Sequence, residues 1–136
     1  MRYMLDTNTC IYLMRRQPRE VAQRFAQLGF GDVVMSVVTL AELRCGVSAR
    51  GDDQSRVAHT MDRLLGFVPY LPFEAAAAEH YATLYKALPS RRRDALDRLI
   101  AAHAIAADCV LVTNNAADFC DYPGLRVENW VGVAAP

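Results

Sequence analysis

The stretch Met1-Arg-Tyr-Met-Leu-Asp-Thr-Asn8 places a short apolar segment directly before a carboxylate. Residues 3–5 predict a buried β-strand, and a helical pattern begins near Thr9. In an open α/β sheet, ligands bind beyond the carboxyl ends of the strands, which is where Asp6 falls. Two interpretations of Asp6 follow. It caps the helix after the strand, or it holds a divalent cation in a crevice.

The composition predicts one globular domain over residues 1–136. The chain contains no apolar run of the roughly 18 residues that span a membrane, and no secretory leader precedes the first strand, so we expect a cytoplasmic protein. The formal net charge is zero, unlike the basic excess of a protein that coats nucleic acid nonspecifically. The cysteines form no C-x-x-C pair, which argues against structural zinc and predicts small buried hydrophobes at Cys10, Cys45, Cys109 and Cys120.

Strand and helix patterns alternate along the chain, which predicts a parallel sheet with helices on both faces. We therefore expect an α/β fold, a three-layer α/β/α sandwich with a central parallel sheet. Strands are predicted at 3–5, 33–38, 67–71, 110–112 and 125–127. Helices are predicted at 9–16, 18–28, 39–46, a segment ending near 66, 74–87 and 94–107, with a turn or short helix at 114–119.

Four acids fall just after predicted strands or at helix starts: Asp6, Glu42, Asp97 and Asp118. The last three also have capping explanations, because they follow Thr39, Asp94 and Asn115 by three residues. Four carboxylates in one pocket would repel one another unless a cation neutralised them. Oxygen ligands without nearby histidine or cysteine indicate Mg²⁺ or Mn²⁺. Asp97 joins the other acids only if the helix at 74–87 has first returned the chain to their edge of the sheet.

Other polar residues near these acids have simpler or supporting roles. Asn8, Thr113 and Asn114 flank the acids at strand ends, which favours a supporting role in the same site. His103 shares a helical stripe with apolar residues and is interpreted as a core or helix-face histidine.

The chain resembles the PIN-domain ribonucleases and, within them, the VapC toxins of bacterial toxin–antitoxin pairs. Five blocks carry the resemblance and cover nearly the whole chain. They are Met4-Leu-Asp-Thr-Asn8, Ser36-Val-Val-Thr-Leu-Ala-Glu-Leu-Arg-Cys-Gly46, Asp97-Arg-Leu-Ile-Ala-Ala-His-Ala104, Leu111-Val-Thr-Asn-Asn115 with Asp118-Phe119, and Gly124-Leu-Arg-Val-Glu-Asn-Trp130. One departure is Leu96, where many relatives carry Asn before the third acid.

The resemblance implies a site and a reaction. The family's acidic cluster corresponds to Asp6, Glu42, Asp97 and Asp118, with Asp6 and Asp97 as the Mg²⁺ ligands. Asn8, Thr113 and Asn114 correspond to its supporting polar residues. The implied reaction is hydrolysis of an RNA phosphodiester, with transfer, ribosomal and messenger RNA all open as substrates. Arginines near the crevice are candidates for binding the RNA backbone: Arg15, Arg16, Arg91, Arg92 and Arg93.

The resemblance also implies partners. These are a VapB-like antitoxin, whose C-terminal segment covers the acidic crevice, and a second toxin copy in a homodimer within the complex. The apolar residues of two short predicted helices are candidates for the antitoxin surface: Ile11, Tyr12, Met14, Leu40 and Leu43. The alternative is that all five pack inside the monomer.

Three rival functions share some of these sequence features. A phosphoacceptor domain needs a lysine at the end of the last strand, whereas Lys86 is mid-chain. An aspartyl phosphatase needs an acid two residues after Asp6, where Asn8 stands. The third rival is a non-catalytic PIN-like scaffold or a regulatory partner in an antitoxin–DNA complex, against which the four intact acids argue.

Overall fold

The computed structural model describes residues 1–49, 51, 54–89 and 94–132, so the predicted charged loop at 90–93, with its three arginines, lies outside the described residues. The strands are β1 (Arg2–Leu5), β2 (Val33–Ser36), β3 (Tyr70–Leu71), β4 (Cys109–Val112) and β5 (Val127–Glu128). The helices are α1 (Thr7–Arg15), α2 (Arg19–Ala26), α3 (Val37–Ser48), α4 (Gln54–Phe67), α5 (Ala75–Ala87), α6 (Ala95–Ala106) and α7 (Ala116–Phe119). None of these described helices is both long and apolar enough to cross a membrane.

The strands form one parallel sheet in the order β3-β2-β1-β4-β5. The central strand is β1, in which Leu5 lies opposite Met35 of β2 and Val112 of β4. The chain builds the sheet outward on one side of β1 and later returns to the other side. Such a reversal opens a crevice at the carboxyl ends of the strands. The predicted three-layer α/β/α architecture is therefore confirmed, and its crevice lies beside Asp6.

Successive residues of the central strands enter different cores on the two faces of the sheet. Tyr3 and Leu5 belong to the core packed under α1 to α4, whereas Met4 belongs to the core under α5 to α7. Because side chains alternate across a strand, a sheet covered on both faces needs apolar residues at nearly every position. This explains the continuous apolar runs at 33–35 and 109–112, all of whose residues are buried.

The junction between β2 and α3 differs from the prediction. The β-branched run at 33–38 predicted one strand, but the strand ends at Ser36 and α3 begins at Val37. The side chain of Ser36 accepts a 3.1 Å hydrogen bond from the backbone N–H of Val38 and caps the helix. Thr39 thus lies inside the helix, and the predicted capping box of Thr39 and Glu42 is wrong.

The two helices α5 and α6 run antiparallel and decide where Asp97 lies. Phe73 lies just before α5, and its ring centroid is 5.4 Å from that of His103, near the end of α6. Tyr85 lies near the end of α5, and its ring packs against Arg98, near the start of α6. The chain therefore travels along α5 in one direction and returns along α6 in the other. This is the return crossing that Asp97 needed to reach the edge of the sheet where Asp6 lies.

Two predictions about buried residues had different outcomes. His103 is 3% exposed and lies in the interior, as predicted. Of the four cysteines, Cys10 and Cys109 are buried, but Cys45 and Cys120 are exposed, so the prediction of four buried hydrophobes is wrong for those two. Cys45 faces outward because the core-facing positions of α3 on either side of it are Leu43 and Val47.

Candidate active site

A small cavity of about 110 Å³ opens beyond the carboxyl end of β1. Because three carboxylates line it, we call it the acidic cavity. Its walls come from the start of α1, from α3 and α6, and from the segment after β4: Asp6, Thr7, Asn8, Glu42, Asp97, Ile100, Asn115 and Phe119. The fold thus brings together Asp6, Glu42 and Asp97, which the sequence placed after different strands and helices.

Asp6 lies between the last residue of β1 and the first residue of α1, where it is the N-cap. Its backbone N–H donates a 3.0 Å hydrogen bond to the carbonyl of Val112, which fixes it at the edge of the sheet. Its Oδ1 accepts a 2.8 Å hydrogen bond from the backbone N–H of Thr9, so the capping interpretation is confirmed. The cap uses one oxygen of a carboxylate that also lines the acidic cavity. The capping and cavity-facing interpretations therefore apply to the same side chain.

Glu42 reaches the cavity from α3 and is held there by α1. The hydroxyl of Thr7 donates a 2.7 Å hydrogen bond to Oε1 of Glu42. This contact replaces the predicted capping role, because Glu42 bonds to a different helix instead of its own N-terminus. Thr7 itself was missed by the sequence reasoning. Its position directly after Asp6 and its hydroxyl were the available signals.

The pKa of the Asp97 carboxyl is raised by its surroundings in the site. Burial raises the pKa of its carboxyl, and the negative charges of Asp94, Glu42, Asp6 and Asp118 raise it further, to about 6 from an ordinary value of 3.8. Like charges that share a site disfavour one another's ionised forms. A pKa raised in this way by burial and by named charge partners is characteristic of functional sites in clefts.

Asp118 is the fourth predicted acid and lies in α7, where it is exposed. It is not among the residues that line the acidic cavity, but its charge contributes to the raised pKa of Asp97. The predicted side-chain cap from Asn115 to α7 is absent, and so is the one from Asp94 to α6. Those two capping predictions are therefore wrong.

The supporting polar residues are distributed differently from the prediction. Asn8 lines the acidic cavity. Thr113 is buried, and its Oγ1 accepts a 3.0 Å hydrogen bond from the backbone N–H of Asn115, which lines the cavity. Asn114 lies outside that lining, where its amide donates to Tyr12 and accepts from Asn129, both at 3.4 Å. Asn115, which the sequence reasoning treated as a cap, is thus the asparagine of this segment that reaches the cavity.

The donors of the acidic cavity fit a hard divalent cation. Proteins usually hold Mg²⁺ through one or two carboxylates, and waters and substrate phosphate oxygens complete its octahedron. Across the described ranges, no three histidine, cysteine, aspartate or glutamate side chains form a group that could hold a metal ion by themselves. A divalent cation would relieve the repulsion between Asp97 and the neighbouring acids, which contributes to the raised pKa of Asp97.

Comparison with known proteins identifies the family. The PIN domain family matches residues 3–125. Over 132 residues the chain is 33% identical to the tRNA(fMet)-specific endonuclease VapC of Shigella flexneri, covering 96% of this chain and 98% of that protein. It is 34% identical to ribonuclease VapC2 of Haemophilus influenzae, covering 96% of this chain and 99% of the relative.

A solved structure shares the fold. VapBC2 from Rickettsia felis, crystallised with a DNA fragment from its promoter, contains a chain that matches with a TM-score of 0.83 and 32% identity. The match covers 96% of this chain and 99% of that chain. The protein therefore belongs to the PIN-domain family. Its relatives within that family are VapC ribonucleases, as the sequence blocks had indicated.

Proposed function

We propose that the protein is a metal-dependent endoribonuclease toxin of the VapC type. The observation that carries the proposal is the convergence of Asp6, Glu42 and Asp97 on one small cavity at the topological crevice. The ribonuclease and tRNA endonuclease names of relatives at 33 to 34% identity support the reaction class. The same three acids, charged and close together, supply the ligands and bases that phosphodiester hydrolysis requires.

The roles of the residues follow from their positions. Asp6 and Asp97 would hold Mg²⁺ or Mn²⁺, which lowers the pKa of bound water and neutralises charge on the phosphate. Glu42, fixed by Thr7, would orient the attacking water through its carboxylate. Asp118, exposed beside the cavity, would add negative potential that favours cation binding. Asn8 and Asn115 would donate to phosphate oxygens from the cavity wall.

The proposed substrate is RNA in a single-stranded loop. Unstacked bases in loops leave the backbone open to a small cavity, whereas a duplex would present both strands as a rigid unit. The relative from Shigella flexneri is named a tRNA(fMet)-specific endonuclease. A tRNA loop is therefore the first substrate to examine for this chain.

The proposed partner is a VapB-like antitoxin. The solved neighbours include VapBC complexes from Rickettsia felis and Salmonella typhimurium. Leu43 is 5% exposed and belongs to the core, but four residues of the predicted antitoxin surface are only partly buried: Ile11, Tyr12, Met14 and Leu40. A partner that covers them and places a basic side chain among the acids would block catalysis. A homodimer of the toxin within that complex is part of the same proposal.

A regulatory role in the antitoxin–DNA complex is compatible with catalysis. Both of those related structures contain promoter or other bound DNA, so relatives of this chain take part in DNA complexes. Such a role would need the antitoxin but would not need the acidic cavity. Loss of cavity acids should therefore abolish RNA cleavage and leave assembly on DNA intact.

The deciding experiment measures cleavage of total tRNA by the purified chain with Mg²⁺, with Mn²⁺ and with EDTA. The test variant is Asp6→Asn, because asparagine also caps helices and the fold should survive. The matched control is Asp108→Asn, at the opposite edge of the sheet, where Asp108 has a positive φ of 55° that asparagine tolerates. Cleavage that persists in EDTA or in Asp6→Asn would refute the proposal.

A further inference from the structure

A long groove leaves the acidic cavity at Glu42. Its first part, about 490 Å³, lies between α1, α3 and α4, and Glu42 lines both this part and the acidic cavity. Its second part, about 700 Å³, lies between α1, α2 and α4 and shares Met14 and Thr60 with the first. We call the two parts together the trough. The shared residues place the two parts next to each other, with Glu42 at the end that adjoins the proposed catalytic acids.

The charge along the trough is strongly one-sided. Five arginines line it: Arg15 and Arg56 in the first part, and Arg16, Arg19 and Arg63 in the second. Among its described lining residues, the only acid is Glu42, at the junction with the acidic cavity. A chain of zero net charge thus places a third of its 15 basic residues along one path. All five arginines are exposed, and none forms an ion pair with another residue that the structure describes.

The floor of the trough is apolar and includes aromatic side chains. Phe25 and Phe67 line its second part, and Phe67 is 61% exposed at the end of α4. An exposed phenylalanine beside arginines is costly in water but is a usual platform for an unstacked base. Arginine adds planar guanidinium groups that contact phosphates through two donors and also stack on bases.

We propose that the trough binds the single-stranded RNA that flanks the scissile phosphate. The phosphates would lie along the arginine rim, and a base would stack on Phe67. This inference rests on the proposed ribonuclease function, because it places the reacting phosphate in the acidic cavity. Ile11 and Met14 line the trough and also belong to the proposed antitoxin surface, so the antitoxin would compete with RNA there. Charge complementarity favours RNA over an apolar peptide, since an apolar peptide would leave five guanidinium groups without anionic partners.

Binding of fluorescein-labelled oligouridylate, followed by fluorescence anisotropy, tests the proposal. The protein carries Asp6→Asn to prevent cleavage, and further variants are made at trough positions of α4, where alanine is a good helix former. Arg56→Ala and Arg63→Ala should each weaken binding about fivefold at about 0.1 M salt, and each should reduce the salt slope by about 0.7. Phe67→Ala should weaken binding about fivefold or more and leave the salt slope unchanged.

Matched controls lie outside the trough. Arg44→Ala removes an exposed arginine of α3 whose guanidinium is 4.0 Å from Asp62, and Phe30→Ala removes a ring that is 79% exposed. Both controls should bind RNA like the parent protein. Arg63→Lys should retain most of the salt slope, and Phe67→Tyr should retain stacking. These conservative variants separate lost contacts from lost folding.

Parallel cleavage assays in the protein with Asp6 intact distinguish the two levels of the proposal. Absence of cleavage by the parent chain would refute the ribonuclease function. Cleavage by the parent with unchanged RNA binding in all three trough variants would refute the trough and leave the ribonuclease function standing. Unchanged RNA binding together with weakened binding of the cognate antitoxin would assign the trough to that protein and overturn the RNA inference.

Discussion

The hydroxyl of Thr7 donates a 2.7 Å hydrogen bond to Oε1 of Glu42, linking the first turn of α1 to the middle of α3. Thr7 directly follows Asp6, the residue between β1 and α1. One side chain of the β1–α1 junction thus caps α1, and the next holds an acid from another helix. The geometry of Asp6 and Glu42 is therefore coupled through two adjacent residues.

Thr7→Val removes the hydroxyl that donates to Glu42 and keeps a similar side-chain shape. We expect kcat to fall about tenfold, equivalent to about 1.4 kcal/mol of transition-state stabilisation, with a smaller change in KM. Single-turnover cleavage measures the chemical step. Thr7→Ser keeps the hydroxyl and should retain most activity. Equal losses in the valine and serine variants would show that the hydrogen bond does not position Glu42.

Asp97→Asn should stabilise the protein in EDTA at neutral pH. The pKa of Asp97 is raised in the fold to about 6 from 3.8. The stabilisation that the folded state gains from the protonated form is therefore full below about pH 3.8, and it is lost as the pH rises through 6. At about pH 7 the free energy of unfolding of Asp97→Asn should exceed that of the wild-type protein by no more than about 1 kcal/mol, because solvent screens the half-buried group.

Thermal unfolding of both proteins in EDTA, from about pH 4 to about pH 7.5, checks this prediction. The wild-type protein should lose stability relative to Asp97→Asn as the pH rises. Mg²⁺ should stabilise the wild-type protein and have little effect on the variant. A large fall in Tm for Asp97→Asn at neutral pH would indicate a structural role for this carboxylate.

His103 should give the opposite pH dependence. Its Nδ1 is 2.7 Å from Oγ of Ser36, and both residues are buried. Burial lowers the pKa of His103 below 6.5. The unfolded chain therefore takes up a proton first, and stability falls as pH drops below about 6.5.

His103→Gln should remove this loss of stability in acid. It should also cost about 1 to 3 kcal/mol at neutral pH, where the buried hydrogen bond with Ser36 is intact in the wild-type protein. Chemical denaturation at a series of pH values measures both effects. His80→Gln is a suitable control because His80 is exposed on α5. An unchanged acid dependence in His103→Gln would contradict the assignment of the buried neutral imidazole.

The sheet and the position of Asp6 followed directly from the sequence, because the strands are short apolar runs and the first ends in a carboxylate. The end of β2 did not follow from the sequence. Val37 and Val38 continue the β-branched run, and local propensity cannot reveal that the hydroxyl of Ser36 starts a helix at that point. The helix start in turn decides which residues of α3 face the cavity. Boundary errors of this kind therefore become errors in side-chain assignment.

The membership of Asp97 in the site depended on three-dimensional information. Its place beside Asp6 requires α5 to run antiparallel to α6, which contacts such as Phe73 with His103 establish and sequence periodicity does not. Thr7 and Asn115 were missed for a related reason. Both are common turn and cap residues, and only their contacts with Glu42 and the cavity distinguish them.

The two adjacent asparagines after β4 give the last prediction. Asn115 lines the acidic cavity, whereas the amide of Asn114 contacts Tyr12 and Asn129 outside it. Asn115→Ala should lower kcat/KM for RNA cleavage about tenfold, because a donor near the reacting phosphate is lost. Asn114→Ala should stay within about twofold, since exposed hydrogen bonds contribute little to stability or geometry. Steady-state cleavage of the same tRNA by both variants decides between them, with Tm as the check on folding. A larger loss in Asn114→Ala would restore the supporting role to Asn114 and place Asn115 outside the reaction.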